Sequence, residues 1–184
     1  SSDMFRQHMT LLKNAGYQTI PLSLLIEAIY FGAELPPKPL VLTFEGGTVG
    51  VYTKAFPIMQ ELDYTGTVYL VAGRMEGNGV ISPEQAKELV AAGWEIGSKG
   101  MYGGINLVNN HEKTGEEAGV SKSVLEQKIG TQVYTFSYPF GAMDEFVAQK
   151  VSSYLYRGAV GVGKSTEHGA NTVFHLSRLE IKND

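Results

Sequence analysis

The 184-residue chain is 43% hydrophobic and 18% charged, so it can bury one core, and we expect a single domain over residues 1–184. Its net charge is −4 and its 15 Lys and Arg residues are scattered, which argues against nucleic acid as a partner. The sequence contains no cysteine, which excludes disulfides and Cys-ligated zinc. It has no apolar run near the roughly 20 residues of a membrane span, and no signal-peptide pattern at its start.

Hydrophobic patterning predicts helices and short strands in alternation along the chain. Helices are expected at about 5–15, 23–31, 51–62, 83–92, 114–129 and 144–154. Strands are expected at 17–20, 40–44, 67–71, 94–98 and 133–137, and extended segments at 159–160 and 173–181. Pro57 predicts either a kink in the third helix or a late start of it. Ser82, followed by Pro83 and Gln85, predicts a capping box at the start of the fourth helix.

Repeated strand–helix units joined by short loops predict a parallel sheet or barrel. In such folds the functional residues lie at the carboxyl ends of the strands. The candidate positions are therefore 44–48, 98–106 and 138–141, which follow three of the predicted strands.

These three strand ends resemble, in the same order, the motifs of the polysaccharide deacetylases (carbohydrate esterase family 4, the chitooligosaccharide deacetylase homology domain). The first family motif reads Thr-Phe-Asp-Asp-Gly, and residues 43–47 read Thr-Phe-Glu-Gly-Gly. The second, His-x-x-x-His after a strand ending Ile-Gly-Ser, corresponds to residues 96–103; the third, Tyr-Pro-Phe-Gly, is intact at 138–141. Residues 176–179, Leu-Ser-Arg-Leu, resemble the family's closing strand. The resemblance implies an α/β fold, an irregular (β/α) barrel with fewer than eight strands.

The same resemblance implies a metal site whose ligands this chain lacks. In the family an Asp and two His hold zinc or another divalent ion, and a preceding Asp is the general base. The corresponding ligand positions here are Gly46, Lys99 and Gly103, and we therefore expect no metal cofactor. Glycine offers no side-chain donor, and an ammonium group repels a divalent cation. Glu45 occupies the position of the base, and Tyr138 the position whose backbone N–H is the oxyanion donor.

Glu45 and Lys99 are predicted to project into one strand-end cavity. One hypothesis is that they form an ion pair at the vacated metal position, because a paired carboxylate costs less to bury than an isolated one. The alternative is that both side chains reach solvent at the rim. The four histidines, His8, His111, His168 and His175, have no zinc-motif spacing. His111 is the one expected near the site, and His175 falls in the last extended segment without matching the family's general-acid motif.

Residues 158–165, Gly-Ala-Val-Gly-Val-Gly-Lys-Ser, satisfy the Walker A pattern of nucleotide-binding loops. A phosphate cradle also needs a helix that begins at Lys164 and Ser165. The residues that follow form a poor helix, and too little chain remains for the downstream strand that binds Mg²⁺. We therefore predict that these are small residues between a strand and a loop, and not a nucleotide site.

The function that these observations favour is a deacetylase-like domain with impaired catalysis that retains a carbohydrate-binding groove. Lys99, Tyr102, Pro139 and Phe140 are the candidate substrate-binding residues, with Tyr138 as a further ring for sugar stacking. Two alternatives stay open: an active N-deacetylase that hydrolyses amide C–N bonds with an atypical site, and a purely structural or interaction domain. The expected partner is a polysaccharide or N-acetylated oligosaccharide, and the family resemblance implies a location outside the cell or in its envelope.

Overall fold

Short strands alternate with helices along residues 1–181, the part of the chain that this computed structural model describes. The strands are β1 (Gln18–Thr19), β2 (Pro39–Leu40), β3 (Thr43–Glu45), β4 (Thr67–Leu70), β5 (Glu95–Ser98), β6 (Thr135–Ser137) and β7 (Gly158–Val160). The α-helices are α1 (Ser2–Asn14), α2 (Leu22–Phe31), α3 (Phe56–Glu61), α4 (Pro83–Ala91), α5 (Ser121–Ile129) and α6 (Glu145–Ser153). None of these helices is long and apolar enough to cross a membrane.

Five strands form one parallel sheet in the order β3-β4-β5-β6-β7, which is their order along the chain. The sheet curls into a partial barrel with helices around it, and β1 and β2 form a separate parallel pair. The prediction of an α/β barrel with fewer than eight strands is confirmed. Parallel pairing in chain order brings the carboxyl ends of all five strands to one edge.

The central strands are buried along their whole length. Every residue of β4, β5, β6 and β7 is buried, as expected for strands that are covered on both faces. The buried carboxylate of Glu95 accepts hydrogen bonds from the Ser23 N–H at 2.7 Å and from Thr135 Oγ1 at 2.7 Å. It therefore joins the first turn of α2 to the sheet, and its partners offset the cost of burying a carboxylate.

The helix signals read from the sequence are largely reproduced. Ser82 and Gln85 form the predicted capping box of α4. Pro57 lies in the first turn of α3, after a π-helical turn over Val51–Ala55, so the late start is the correct alternative. A second π-helical turn, Gly115–Val120, precedes α5 within the predicted fifth helix.

Two segments differ most from the prediction, and the other boundaries, with the π-helical turns counted in their helices, differ by at most three residues. The segment 40–44 is divided, because Leu40 pairs with Thr19 of β1 whereas β3 begins at Thr43. The predicted extended segment 173–181 is wrong over its first part, where the chain forms a 3₁₀ turn over Ala170–His175. Leu176 then makes a parallel bridge to Val160: its N–H donates to the Ala159 carbonyl at 3.1 Å, and its carbonyl accepts from the Gly161 N–H at 2.9 Å.

Candidate functional site

A four-residue polar network lies at the carboxyl ends of the strands. Glu45 ends β3, Lys99 follows β5 and Ser137 ends β6. The Glu45 carboxylate forms ion pairs with Lys99 through Oε2 and with Arg178 through Oε1. Ser137 Oγ donates a hydrogen bond to Glu45 Oε1 at 2.8 Å and accepts from Arg178 Nη2 at 3.2 Å. The predicted Glu45–Lys99 pair is confirmed, and we call these four residues the strand-end network.

Sequence reasoning missed two members of this network, Ser137 and Arg178. The Arg178 guanidinium also donates from Nε to the Gly161 carbonyl at 2.9 Å and from Nη1 to Thr43 Oγ1 at 3.4 Å, and it lies 5.6 Å from the centroid of the Tyr69 ring. These contacts fix the guanidinium between β3 and the loop after β7. The signal that could have found Arg178 is the resemblance of residues 176–179 to a closing strand, which carries this arginine to the same edge as Glu45.

The network lowers the pKa of Glu45. Partial burial raises that pKa, but the charges of Arg178 and Lys99 and the hydrogen bonds that both donate lower it by more. The side chains of Lys99 and Arg178 are only 17% and 18% exposed, and that of Glu45 is 37% exposed. Both carboxylate oxygens are engaged, so Glu45 is a poor proton acceptor in this arrangement.

The residues at the family's ligand positions do not fit a metal ion. The Lys99 ammonium is directed at Glu45, and Gly46 and Gly103 carry no donor. Both glycines adopt left-handed backbone conformations, with φ of +77° and +71°. A Cβ at position 103 would lie 2.6 Å from Val71 Cγ2, so a histidine there needs a different loop. Within residues 1–181, no group of three or more His, Asp and Glu side chains is arranged to hold a metal ion.

His111 and His175 lie outside the strand-end network. His111 Nε2 is 2.7 Å from Asp144 Oδ2, and its ring stacks on Phe146 with centroids 4.4 Å apart. His175 is exposed and lines an open cavity of about 460 Å³ beside the strand-end network. Asn106, Val108, Gly141, Ala142, Met143, Gly161 and Val162 complete the lining. The cavity adjoins the network at Gly161, whose carbonyl accepts the bond from Arg178.

The motif aromatics divide into buried and exposed residues. Tyr138 is fully buried; its ring packs edge-on against Phe136, and its hydroxyl donates to the Phe174 carbonyl at 3.0 Å. The prediction that this ring offers a face to a sugar is therefore wrong. The Tyr138 N–H donates to the Val160 carbonyl at 3.1 Å, so an oxyanion would have to compete for it. Phe140 is 69% exposed and Tyr102 is 46% exposed.

Pro139 is buried, so its surface is not offered to a ligand. Phe140 follows it at a φ of +60°, a strained value for a residue with a side chain. This turn buries the proline and places the Phe140 ring in solvent next to Gly141, which lines the cavity.

The Walker-like segment is strand β7 followed by a loop, as predicted. β7 ends at Val160, and no α-helix follows Lys164 in the part of the chain that the structure describes. Residues 162–167 are exposed, and Ser165 Oγ donates to the Glu167 carbonyl at 3.0 Å. A phosphate cradle closed by a helix N-terminus is therefore missing at this position.

Comparison with known proteins agrees with the motif order. The sequence profile described as polysaccharide deacetylase matches residues 32–159. The poly-beta-1,6-N-acetyl-D-glucosamine N-deacetylase of Escherichia coli (strain K12) is 37% identical over 59 residues. That match covers 32% of this chain and 9% of the E. coli protein, so the chain spans about a tenth of that relative's length.

Two solved structures share the fold over nearly the whole chain. The Streptococcus pyogenes deacetylase PplD in complex with acetate superposes with a TM-score of 0.90 at 22% identity, covering 98% of this chain and 80% of that one. IcaB from Ammonifex degensii superposes with a TM-score of 0.87 at 19% identity, covering 99% and 84%. At these identities the likeness establishes the fold.

Proposed function

Because the chain belongs to the polysaccharide deacetylase family, we propose that it is a deacetylase-like domain that binds a carbohydrate without the family's metal-dependent catalysis. The observation that carries this proposal is the ion pair of Glu45 with Lys99, which stands at a family ligand position. On this proposal the site requires no metal cofactor, and the domain recognises a glycan without hydrolysing it.

The chemistry of the strand-end network supports impaired catalysis. Hydrolysis of an N-acetyl group needs an electrophile to polarise the carbonyl and a base to activate water. The only carboxylate at the base position is Glu45, and two cations and a hydroxyl occupy its oxygens. General-base assistance alone contributes about 10²–10⁴-fold, whereas enzymes accelerate reactions by about 10⁶-fold or more.

The surface beside the network supports carbohydrate binding. The cavity combines backbone groups and Val162 with two polar side chains, Asn106 and His175, that can hydrogen-bond to sugar hydroxyls. The exposed rings of Phe140 and Tyr102 offer apolar faces of the kind that stack on a pyranose ring. The strained backbone at Phe140 is a further sign, since strain of this kind concentrates at functional sites.

The substrate class follows from the family and from the relative that carries a substrate in its name. An oligomer of N-acetylglucosamine is the ligand to try first, in its β-1,4- and β-1,6-linked forms. A domain that meets such a polymer is proposed to act outside the cell or in the cell envelope.

The test is to measure binding and hydrolysis on the same preparation. We expect NMR titration with N-acetylglucosamine pentamers to shift the amides around the cavity, and release of free amine to stay at background with or without added Zn²⁺ or Co²⁺. Phe140→Ala should weaken binding about threefold to tenfold, the loss of one stacking face. The matched control is Phe31→Ala, which removes an 83% exposed ring on α2.

Each other outcome selects a different function. Metal-dependent release of free amine would establish an active N-deacetylase with an atypical site. Failure of both pentamers to bind, with no hydrolysis, would leave a structural or interaction domain. Equal effects of the two phenylalanine variants would remove Phe140 from the binding surface.

A further inference from the structure

A buried acid, Glu117, holds the loop that carries Tyr102. Glu117 is fully buried on the π-helical turn Gly115–Val120. Its Oε1 accepts a hydrogen bond from the Tyr102 N–H at 3.1 Å, and its Oε2 accepts from the Gly103 N–H at 3.3 Å. Gly100 lies against the same carboxylate, since a Cβ there would be 2.1 Å from Oε2. Residues 100–103 therefore wrap closely around one carboxylate.

The preceding residue on the turn, Glu116, holds the other end of the same tyrosine. The Tyr102 hydroxyl donates to Glu116 Oε1 at 2.7 Å, and Lys113 pairs with the second oxygen of Glu116. The π-helical turn thus presents two successive carboxylates to one residue, one to its backbone and one to the end of its ring. Such turns are frequent at functional sites.

We infer that Glu117 is a positioning residue that preforms the exposed face of Tyr102 for stacking on a sugar. The inference rests on the proposed function, in which Tyr102 contributes a binding surface. A fully buried carboxylate is costly unless it is hydrogen-bonded, and the N–H groups of the loop supply those bonds. Burial raises the pKa of Glu117, and the N–H groups of Tyr102 and Gly103 oppose that rise. A ring that is already ordered loses less freedom on binding, which strengthens affinity about threefold to tenfold.

Three variants test this role: Glu117→Gln, Tyr102→Ala and, as the control, Glu112→Gln. Glu112 is an exposed acid on the neighbouring turn His111–Lys113, so its variant makes the same charge change without touching the loop. Amide hydrogen exchange and ¹⁵N chemical shifts of Tyr102 and Gly103 are measured in the free protein. Affinity for the N-acetylglucosamine pentamer is measured by NMR titration on all three variants and the double variant Glu117→Gln/Tyr102→Ala.

We expect the two amides to be protected in the wild type, and to shift and exchange faster in Glu117→Gln but not in Glu112→Gln. Glu117→Gln should weaken pentamer binding about threefold to tenfold, and the double variant should be no weaker than Tyr102→Ala. If Glu117→Gln moves the amides but leaves affinity unchanged, Glu117 has only a structural role and the inference is wrong.

The two proposals fail in different ways. If the wild type binds no pentamer, the proposed function fails, and with it the sugar-stacking role. Exchange of the Tyr102 and Gly103 amides at the rates of an open loop overturns the positioning role alone. That measurement needs only the wild-type protein, so it tests the positioning role of Glu117 even if Glu117→Gln does not fold.

Discussion

The coupling between Glu45 and Lys99 can be measured with a double-mutant cycle of Glu45→Gln and Lys99→Met. Two unit charges about 4 Å apart interact by about 4 kcal/mol at an effective dielectric constant of about 20. The side chains here are 37% and 17% exposed, so solvent screening and desolvation reduce this value. Arg178 continues to pair with Glu45 when Lys99 is removed. We therefore expect a coupling of about 1–2 kcal/mol near neutral pH.

The contribution of the Glu45–Lys99 pair to stability depends on pH. The folded protein lowers the pKa of Glu45, so the pair contributes its full stability above the unfolded-state value of about 4.3. That contribution is lost as the pH falls through the lowered folded-state pKa. Urea denaturation of the four proteins of the cycle, at about pH 7 and again at progressively lower pH, measures both the coupling and its loss.

The matched control is the Arg6–Glu61 pair, whose side chains are 46% and 58% exposed. Its coupling should be smaller and should disappear in concentrated salt, whereas the less exposed Lys99–Glu45 pair should keep most of its coupling. A Lys99–Glu45 coupling no larger than that of the control would refute the reasoning.

Three further predictions concern the loop, the core and the Walker-like segment. Gly103→His should lower the free energy of unfolding by about 2–3 kcal/mol, because of its positive φ and the clash with Val71. Gly104→His, in open space, should cost less than about 1 kcal/mol in the same urea titration. Burial raises the pKa of Glu95, so the stability that this residue contributes should fall as the pH rises above about 4.3. In urea titrations, the free energy of unfolding of the wild type relative to Glu95→Gln should decrease over that range. Mg²⁺-ATP should leave the melting temperature unchanged, because no helix closes residues 158–165; a concentration-dependent rise would contradict this.

The strand positions could be predicted because the strands are buried on both faces. The apolar run around Val68 has the composition of a covered parallel strand, and β4 lies where that run predicts it. β5 lies within the predicted strand 94–98, although that segment contains the charged Glu95. The order of the motifs then placed Glu45 and Lys99 at one edge of the sheet, which made their ion pair one of two hypotheses. Parallel strands in chain order leave few other arrangements.

The contacts that escaped prediction join distant parts of the chain. Arg178 lies 133 residues from Glu45, and no local pattern indicates which carboxylate it contacts. The burial of Tyr138 escaped prediction because a strand-end motif fixes the backbone position of a side chain but not whether it points into the core. The Phe174 carbonyl that receives its hydroxyl belongs to a 3₁₀ turn whose sequence had suggested a strand.

The structure adds a conformational constraint at the positions of the missing ligands. From the sequence, Gly46 and Gly103 are positions that lack a donor. In the structure both have left-handed backbone conformations, and Val71 fills the space that a side chain at Gly103 would need. A histidine at position 103 would therefore meet both a positive φ and Val71, so restoring that residue type requires a different loop.

Zinc binding tests the central claim most directly. Purified protein is equilibrated with excess Zn²⁺ near neutral pH, dialysed against metal-free buffer and assayed by elemental mass spectrometry. We predict clearly substoichiometric zinc, with no change in the melting temperature when the ion is added, because Lys99 pairs with Glu45 where the family places a ligand. One zinc ion retained per chain, lost on Glu45→Gln, would contradict the account.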